Sequence, residues 1–295
     1  MTPTFHKGAA PKLYLFEQSF WSYLWGLLRS ASIGLYQDGC LGIAKGAAYS
    51  ALLSFFPVLT TLAAVLFEAK AESVSRTIAR LLYDVVPPGT EDVVRTLFVV
   101  HGERPKYLLI GAIVLSVWAA SGAMMSMLEG FRAVYHIPQG RSFLVERGIA
   151  MLLVFTSALP VLAASALIVF GKRGESALAE WLRPTAPALR GWVLLAGQVL
   201  RFVLASASIV LATASIYHWG PNRKQSFRQV LPGALLATFL WLLATLVFSL
   251  YVRHISNYNV LYGSVGAGLA LLVWMYVLSV IVLLGCEFNA ARERE

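Results

Sequence analysis

Charge is what this sequence has least of. Only 13% of its 295 residues are Asp, Glu, Lys or Arg, against 58% that are hydrophobic. A soluble domain of this length carries roughly a quarter of its residues charged to keep its surface wet, so a soluble globular chain is excluded. Cysteine is nearly as scarce. Cys40 and Cys286 cannot build a disulfide framework, and each sits near the end of an apolar segment without metal-ligand spacing. The five histidines, His6, His101, His136, His218 and His254, are scattered through the tail, loops and span ends. Metal-assisted phosphodiester cleavage needs converging ligands, and no nuclease pattern emerges. No catalytic residue, metal or cofactor is therefore expected. A cleavable leader is not expected either, because residues 1–20 contain Lys7, Lys12 and Glu17 without a continuous apolar stretch after a basic start. The first span should direct insertion.

What is present is apolar length. A helix needs about 20 mostly apolar residues to cross the hydrocarbon layer, and six such runs lie near residues 47–67, 107–128, 149–171, 191–217, 230–252 and 263–286. The fold class is thus all-α, a polytopic membrane protein. The net charge of +9 raises the alternative of nucleic-acid binding, but the aromatic residues fall inside or at the edges of the apolar runs instead of interleaving with a basic stripe. Membrane lipids, and no nucleic acid, are the expected partners.

Two segments outside the spans carry helical periodicity. Between residues 18 and 36, Phe20, Trp21, Tyr23, Leu24, Leu27, Leu28 and Ile33 can line one side of a helix. An amphipathic helix along the membrane surface suits them better than a seventh crossing, given Arg29 and the many Ser and Gly residues. Residues 70–106 form the longest polar section, with Val74, Ile78, Leu81, Leu82 and Val85 at helical spacing and a stop at Pro87 and Pro88. Thr90, followed by Glu91 and Asp92, reads as the start of a second short helix through Phe98. Together they predict a small extracytoplasmic helical cap. The chain divides into an interfacial segment 1–46, a membrane domain 47–286 and a tail 287–295.

Lys and Arg number twelve on the side of the termini and eleven on the other, with Arg201 inside a span. The short loop with Arg223, Lys224 and Arg228 is the densest basic segment and lies close to two spans, where the positive-inside rule acts most strongly. It places both termini in the cytoplasm.

The order of several strings along most of the chain resembles the YihY/BrkB family of bacterial inner-membrane proteins. They are Ala47-Ala48-Tyr49-Ser50-Ala51-Leu52-Leu53-Ser54-Phe55-Phe56-Pro57, then Pro232-Gly233-Ala234 leading to Trp241 and Tyr251. Last comes Leu261-Tyr262-Gly263-Ser264 running through Trp274-Met275-Tyr276 to Leu284-Gly285-Cys286-Glu287-Phe288-Asn289-Ala290. The resemblance implies six helices, an inner-membrane address and an association with envelope integrity, serum resistance and export of lipid or glycolipid. An older ribonuclease label for the family has no chemical basis in these residues.

The residues singled out for transport or gating are Pro57, Arg201, Glu287, Asp38, Glu129 and Arg132. Pro57 breaks a backbone hydrogen bond in mid-span, with Ser54, Thr60 and Thr61 close enough to compensate; it is either a fixed kink or a hinge. Arg201 is the deepest ionisable group, unless its span starts late enough for it to snorkel. Asp38, Glu129, Arg132 and Glu287 fall at cytoplasmic span ends, where they either form a gate or headgroup site or are simply solvated. For an anionic lipid or glycolipid, Arg132, Arg141, Arg147 and Arg201 are the natural counter-charges. Gly263 with Ala267 and Ser264 with Gly268 are small residues four apart that suit close helix packing or a homo-oligomer contact.

These readings converge on a non-enzymatic transporter-like or flippase-like component for an amphiphilic or anionic envelope molecule. The alternative is an envelope assembly protein whose cap binds a partner, with a membrane-embedded hydrolase or ribonuclease a distant third. The topology has a direct test. A green fluorescent protein fused after Glu295 should fluoresce, and alkaline phosphatase fused at the same point should stay inactive; the reverse pattern would invert the orientation.

Overall fold

The structure, a computed structural model, describes the backbone of residues 13–68, 106–138, 140–181, 187–254 and 258–294. These form seven helices, with no strand among the described residues: α1 (Leu13–Gln37), α2 (Cys40–Glu68), α3 (Lys106–Val134), α4 (Phe143–Trp181), α5 (Pro187–Trp219), α6 (Phe227–His254) and α7 (Tyr258–Arg294). Helices α2 to α7 each contain a stretch long and apolar enough to cross a membrane. The protein is therefore a polytopic all-α membrane protein. Apart from Lys106, the cap expected over 70–106 lies outside the described residues.

Each helix from α2 to α7 packs against the next, and α7 packs back against α2, so the six close into a ring. Outward-facing side chains such as Ile110, Val114, Leu159, Phe202, Phe239 and Leu246 are exposed, which suits a hydrocarbon solvent. Burial concentrates at one end of the ring. There Cys40, Ala44 and Ala47 of α2 meet Phe131 and Val134 of α3, Leu153 of α4, Tyr217 of α5, Ala234 of α6 and Cys286 of α7. Tyr217 ties this end together, because its hydroxyl donates to the Val282 carbonyl at 2.6 Å and its ring meets Phe131 edge-on.

The candidate spans reach further toward this convergent end than the apolar runs suggested. They begin at Cys40 and Phe143 and end at Arg294, taking in Lys45, Glu146, Arg147 and Glu287. Charges mark the end of a span only when water must solvate them; here several are satisfied inside the protein. Residues 287–294, expected as a tail, continue α7, with Phe288, Asn289, Ala290 and Ala291 buried.

Helix α1 lies against α7 and α2. Its buried stripe is Leu27, Ala31 and Leu35, four residues apart. Of the apolar positions expected on this helix, Leu27 is buried against the protein, and Trp21, Tyr23 and Ile33 are exposed. Ala31 and Gly34 let α1 approach α7 closely between the leucines, and the exposed aromatics suit the water–lipid boundary.

The tightest crossing joins α6 to α7. Pro232 lacks an N–H and disturbs the first turns of α6, and Asn289 repairs the damage from α7. Its Oδ1 accepts from the Gly233 N–H at 2.7 Å, and its Nδ2 donates to the Val230 carbonyl at 3.0 Å. Gly233 and Gly285 face each other with no space for a side chain; a methyl on Gly285 would lie 2.5 Å from the Tyr217 hydroxyl oxygen and 2.6 Å from the Gly233 carbonyl. By contrast, a methyl at Gly268 would meet nothing within 4 Å, and the side chains of Ser264 and Ala267, with Gly263, lie outside the described set. Among the described residues, Gly233 and Gly285 make a close small-residue contact of this kind.

Removing this clamp has a predictable cost. Asn289→Ala strands a buried backbone N–H and carbonyl and should destabilise the fold by roughly 1–3 kcal/mol, and Gly285→Ala should cost at least as much because its methyl meets backbone. Thermal melts in detergent, followed by tryptophan fluorescence, measure both; an unchanged midpoint for either would disprove the tight crossing.

Candidate functional site

The turn from α1 into α2 is built by Asp38 and Gly39. The Asp38 N–H donates to the Gly34 carbonyl at 2.8 Å, and Gly39 takes a left-handed φ of 66° that only glycine adopts cheaply. This turn hangs the Asp38 carboxylate beneath α7. Its side chain is 12% exposed.

A second left-handed residue meets it there. At the end of α3, the His136 N–H donates to the Ala133 carbonyl and the Ile137 N–H to the Arg132 carbonyl, both at 3.0 Å, the paired pattern that closes a helix through a left-handed residue. Glycine normally holds that position, yet His136 does so with φ 50°. Strain of this kind persists where surrounding structure enforces it. The result is that His136 Nε2 sits 3.1 Å from Asp38 Oδ1.

Glu287 completes the group from α7. It is fully buried, its carboxyl is a hydrogen-bonding neighbour of Asp38, and its Oε2 lies 3.4 Å from Arg294. Arg294 in turn donates to the Val134 carbonyl at 2.9 Å, covering the end of α3. Gly34 makes room: a methyl there would lie 2.8 Å from Glu287 Oε2. One oxygen of each acid, Asp38 Oδ2 and Glu287 Oε1, is buried without a protein donor. Tyr135, just beyond the α3 span, is held neutral because burial pushes its phenol well above the ordinary value, with Cys286 and Glu293 adding to the effect.

Further charges ring the same end. Arg132 pairs with the buried Glu146 at 3.0 Å. Arg141 donates to the Gly220 carbonyl at 2.9 Å, and Arg223 pairs with Glu293 at 2.5 Å while covering the Tyr135 ring. Arg147 lies deeper, inside the candidate span of α4; its guanidinium stacks 4.1 Å over Trp118 and donates to the Trp118 carbonyl at 2.8 Å, near the middle of α3.

Of the residues chosen from the sequence, Asp38 and Glu287 come together, and Arg132 joins the same end through Glu146. Glu129 is exposed and stands apart. Arg201 is about four turns along α5 from Tyr217, its stem laid over Gly171 of α4. Pro57 is cross-linked to α3: Ser116 donates to the Pro57 carbonyl at 2.7 Å, and Thr61 bonds Ser116 at 2.6 Å and the Ala112 carbonyl at 3.0 Å. Sequence reasoning missed His136, Glu146 and Arg294 as members. Their partners lie 98, 14 and 7 residues away, and only the last two separations are short enough to be tested by spacing. Among the described residues, no group of three or more His, Cys, Asp or Glu is placed to hold a metal ion.

Residues 33–295 match the profile of the family described as Virulence factor BrkB. The ribonuclease-like protein YfkH of Bacillus subtilis (strain 168) is 29% identical over 183 residues, covering 62% of this chain and 65% of its own. A UPF0761 membrane protein of Chromohalobacter salexigens is 29% identical over 258 residues, 86% of this chain and 59% of its own. One from Photobacterium profundum is 28% identical over 259 residues, 85% of this chain and 76% of its own. The chain thus spans less than two thirds of the length of the first two relatives. No solved structure matches it. A family match running from α1 to the last residue coincides with all six membrane-crossing helices, and the chain accordingly belongs to the Virulence factor BrkB family of multi-pass membrane proteins.

Proposed function

We propose that the six-helix ring is a transporter-like or flippase-like component of the bacterial inner membrane, with cytoplasmic termini, that handles an amphiphilic anionic envelope molecule such as a lipid or glycolipid. The observation that carries this reading is Arg147. An ionised group within a span costs on the order of 3 kcal/mol by insertion scales unless it is paired or wetted, and Arg147 is held within α4 by the Trp118 carbonyl and the Trp118 ring and not by a carboxylate. Trp118 is half exposed, so the guanidinium stacked on it stands at an accessible position with donors that match a phosphate.

The neighbouring pairs support the same use. Arg132 is already committed to Glu146 and Arg223 to Glu293, so of these three arginines Arg147 is the one that an anion entering from the bilayer would meet without displacing a carboxylate. No covalent step is assigned to the ring.

Reconstitution tests this. Proteoliposomes carrying the protein should move a fluorescent anionic phospholipid between leaflets faster than empty liposomes and faster than a zwitterionic analogue. Arg147→Gln should slow the anionic lipid by roughly ten- to a hundredfold, the loss expected for one charge-assisted hydrogen bond of roughly 1.5–3 kcal/mol, and Arg147→Lys should retain part of the rate. Equal rates with and without protein, or an unaltered Arg147→Gln rate, would refute the proposal.

A further inference from the structure

We propose that Asp38 and Glu287 hold one exchangeable proton between them, and that His136 passes this proton to and from the aqueous face. What the proton does for the molecule rests on the transport reading above; the site itself does not.

Ionised carboxylates only accept hydrogen bonds. Two that touch, each with one buried oxygen and no protein donor for it, satisfy those oxygens when a proton lies between them, and repel when it does not. Glu287 has no solvent exposure, and Gly34 is packed against its Oε2 so closely that even a methyl has no place.

The three groups form a graded path. The His136 side chain is 66% exposed, that of Asp38 12% and that of Glu287 0%. Histidine is the side chain suited to take up and release protons near neutrality, and its left-handed backbone is fixed by the closing bonds of α3. The other ionisable groups around the pair are accounted for. Helix α2 contributes the buried thiol of Cys40 and α7 that of Cys286, Tyr135 just after α3 stays neutral, and Arg294 of α7 binds Glu287 Oε2 and the Val134 carbonyl without neutralising both acids. Among the described residues, helix α1 places Gly34 against Glu287.

Infrared difference spectroscopy on the protein in nanodiscs reads the proton directly, as the carbonyl stretch of a protonated carboxyl group that shifts on transfer to deuterium oxide. At neutral pH the wild type should show the band, Glu287→Gln and Asp38→Asn should each abolish it, and His136→Gly should keep it while slowing its deuterium exchange several-fold. Glycine at 136 also relieves the left-handed strain, so slower exchange there does not reflect a damaged fold. Gln at 287 donates to Asp38 as the proton would, and an unchanged gel-filtration profile confirms that this variant folds. Absence of the band in the wild type, its survival in both acid variants, or unaltered exchange in His136→Gly would overturn the proposal. The band is read with no lipid moving, so a protein that fails the reconstitution assay can still pass this one.

Discussion

Inside a bilayer a polar group has only other protein groups to turn to, and this constraint shapes the convergent end of the ring. Several features there are local answers to it. Pro232 frees backbone groups on α6, and the Asn289 amide takes up the Gly233 N–H and Val230 carbonyl. The Pro57 carbonyl on α2 is met by Ser116 of α3. Tyr217 finds the Val282 carbonyl, and Glu146 finds Arg132. Apolar packing alone gives helices little reason to choose one neighbour over another in lipid, because the tails are as apolar as Leu. Polar repairs and glycine contacts supply the selection.

The same constraint explains which parts of the fold were legible in the sequence. Length and hydropathy sufficed for six helices because hydrocarbon thickness fixes the run. Span ends were harder. Stopping each run at its first charge is right when water solvates that charge, but Glu146 and Glu287 are solvated by Arg132, Arg294 and neighbouring turns, so α4 and α7 carry their charges inside. The N-terminal helix was readable as a helix, and part of its buried face with it. Apolar spacing picked out Leu24, Leu27 and Leu28, which pack toward α7, along with the exposed Trp21, Tyr23 and Ile33; Ala31 and Gly34, which no apolar pattern marks, complete the contact.

For the site, sequence spacing exposed the acids and hid their geometry. Asp38 and Glu287 were both visible as charges near apolar runs, 249 positions apart, and nothing local says that α1 and α7 pack. His136 was one of five scattered histidines. Its importance comes from a left-handed backbone at a helix end, and the only sequence trace of that is Pro138, a helix-stopping residue two positions on. Conversely, the small residues at 263–268 stood out by their four-residue spacing, while Gly233 and Gly285 each look solitary. Their pairing exists only across two helices.

Three of these devices sit on two successive turns of α7. Asn289 clamps α6, Glu287 meets Asp38 under α1, and Arg294 reaches the end of α3. A rigid helix cannot shift one of these contacts without disturbing the others. Displacing α6 from α7 at Gly233 and Gly285 would therefore pull on the turn that holds Glu287, and the carboxyl would leave Asp38 or drag it along. A change in the ring's packing and a change in the acid pair are thus one event seen from two sides. That coupling requires no long chain of intermediaries, since Glu287 and Asn289 are separated by a single residue, Phe288, whose own side chain is buried against Leu27 and Ala31 of α1.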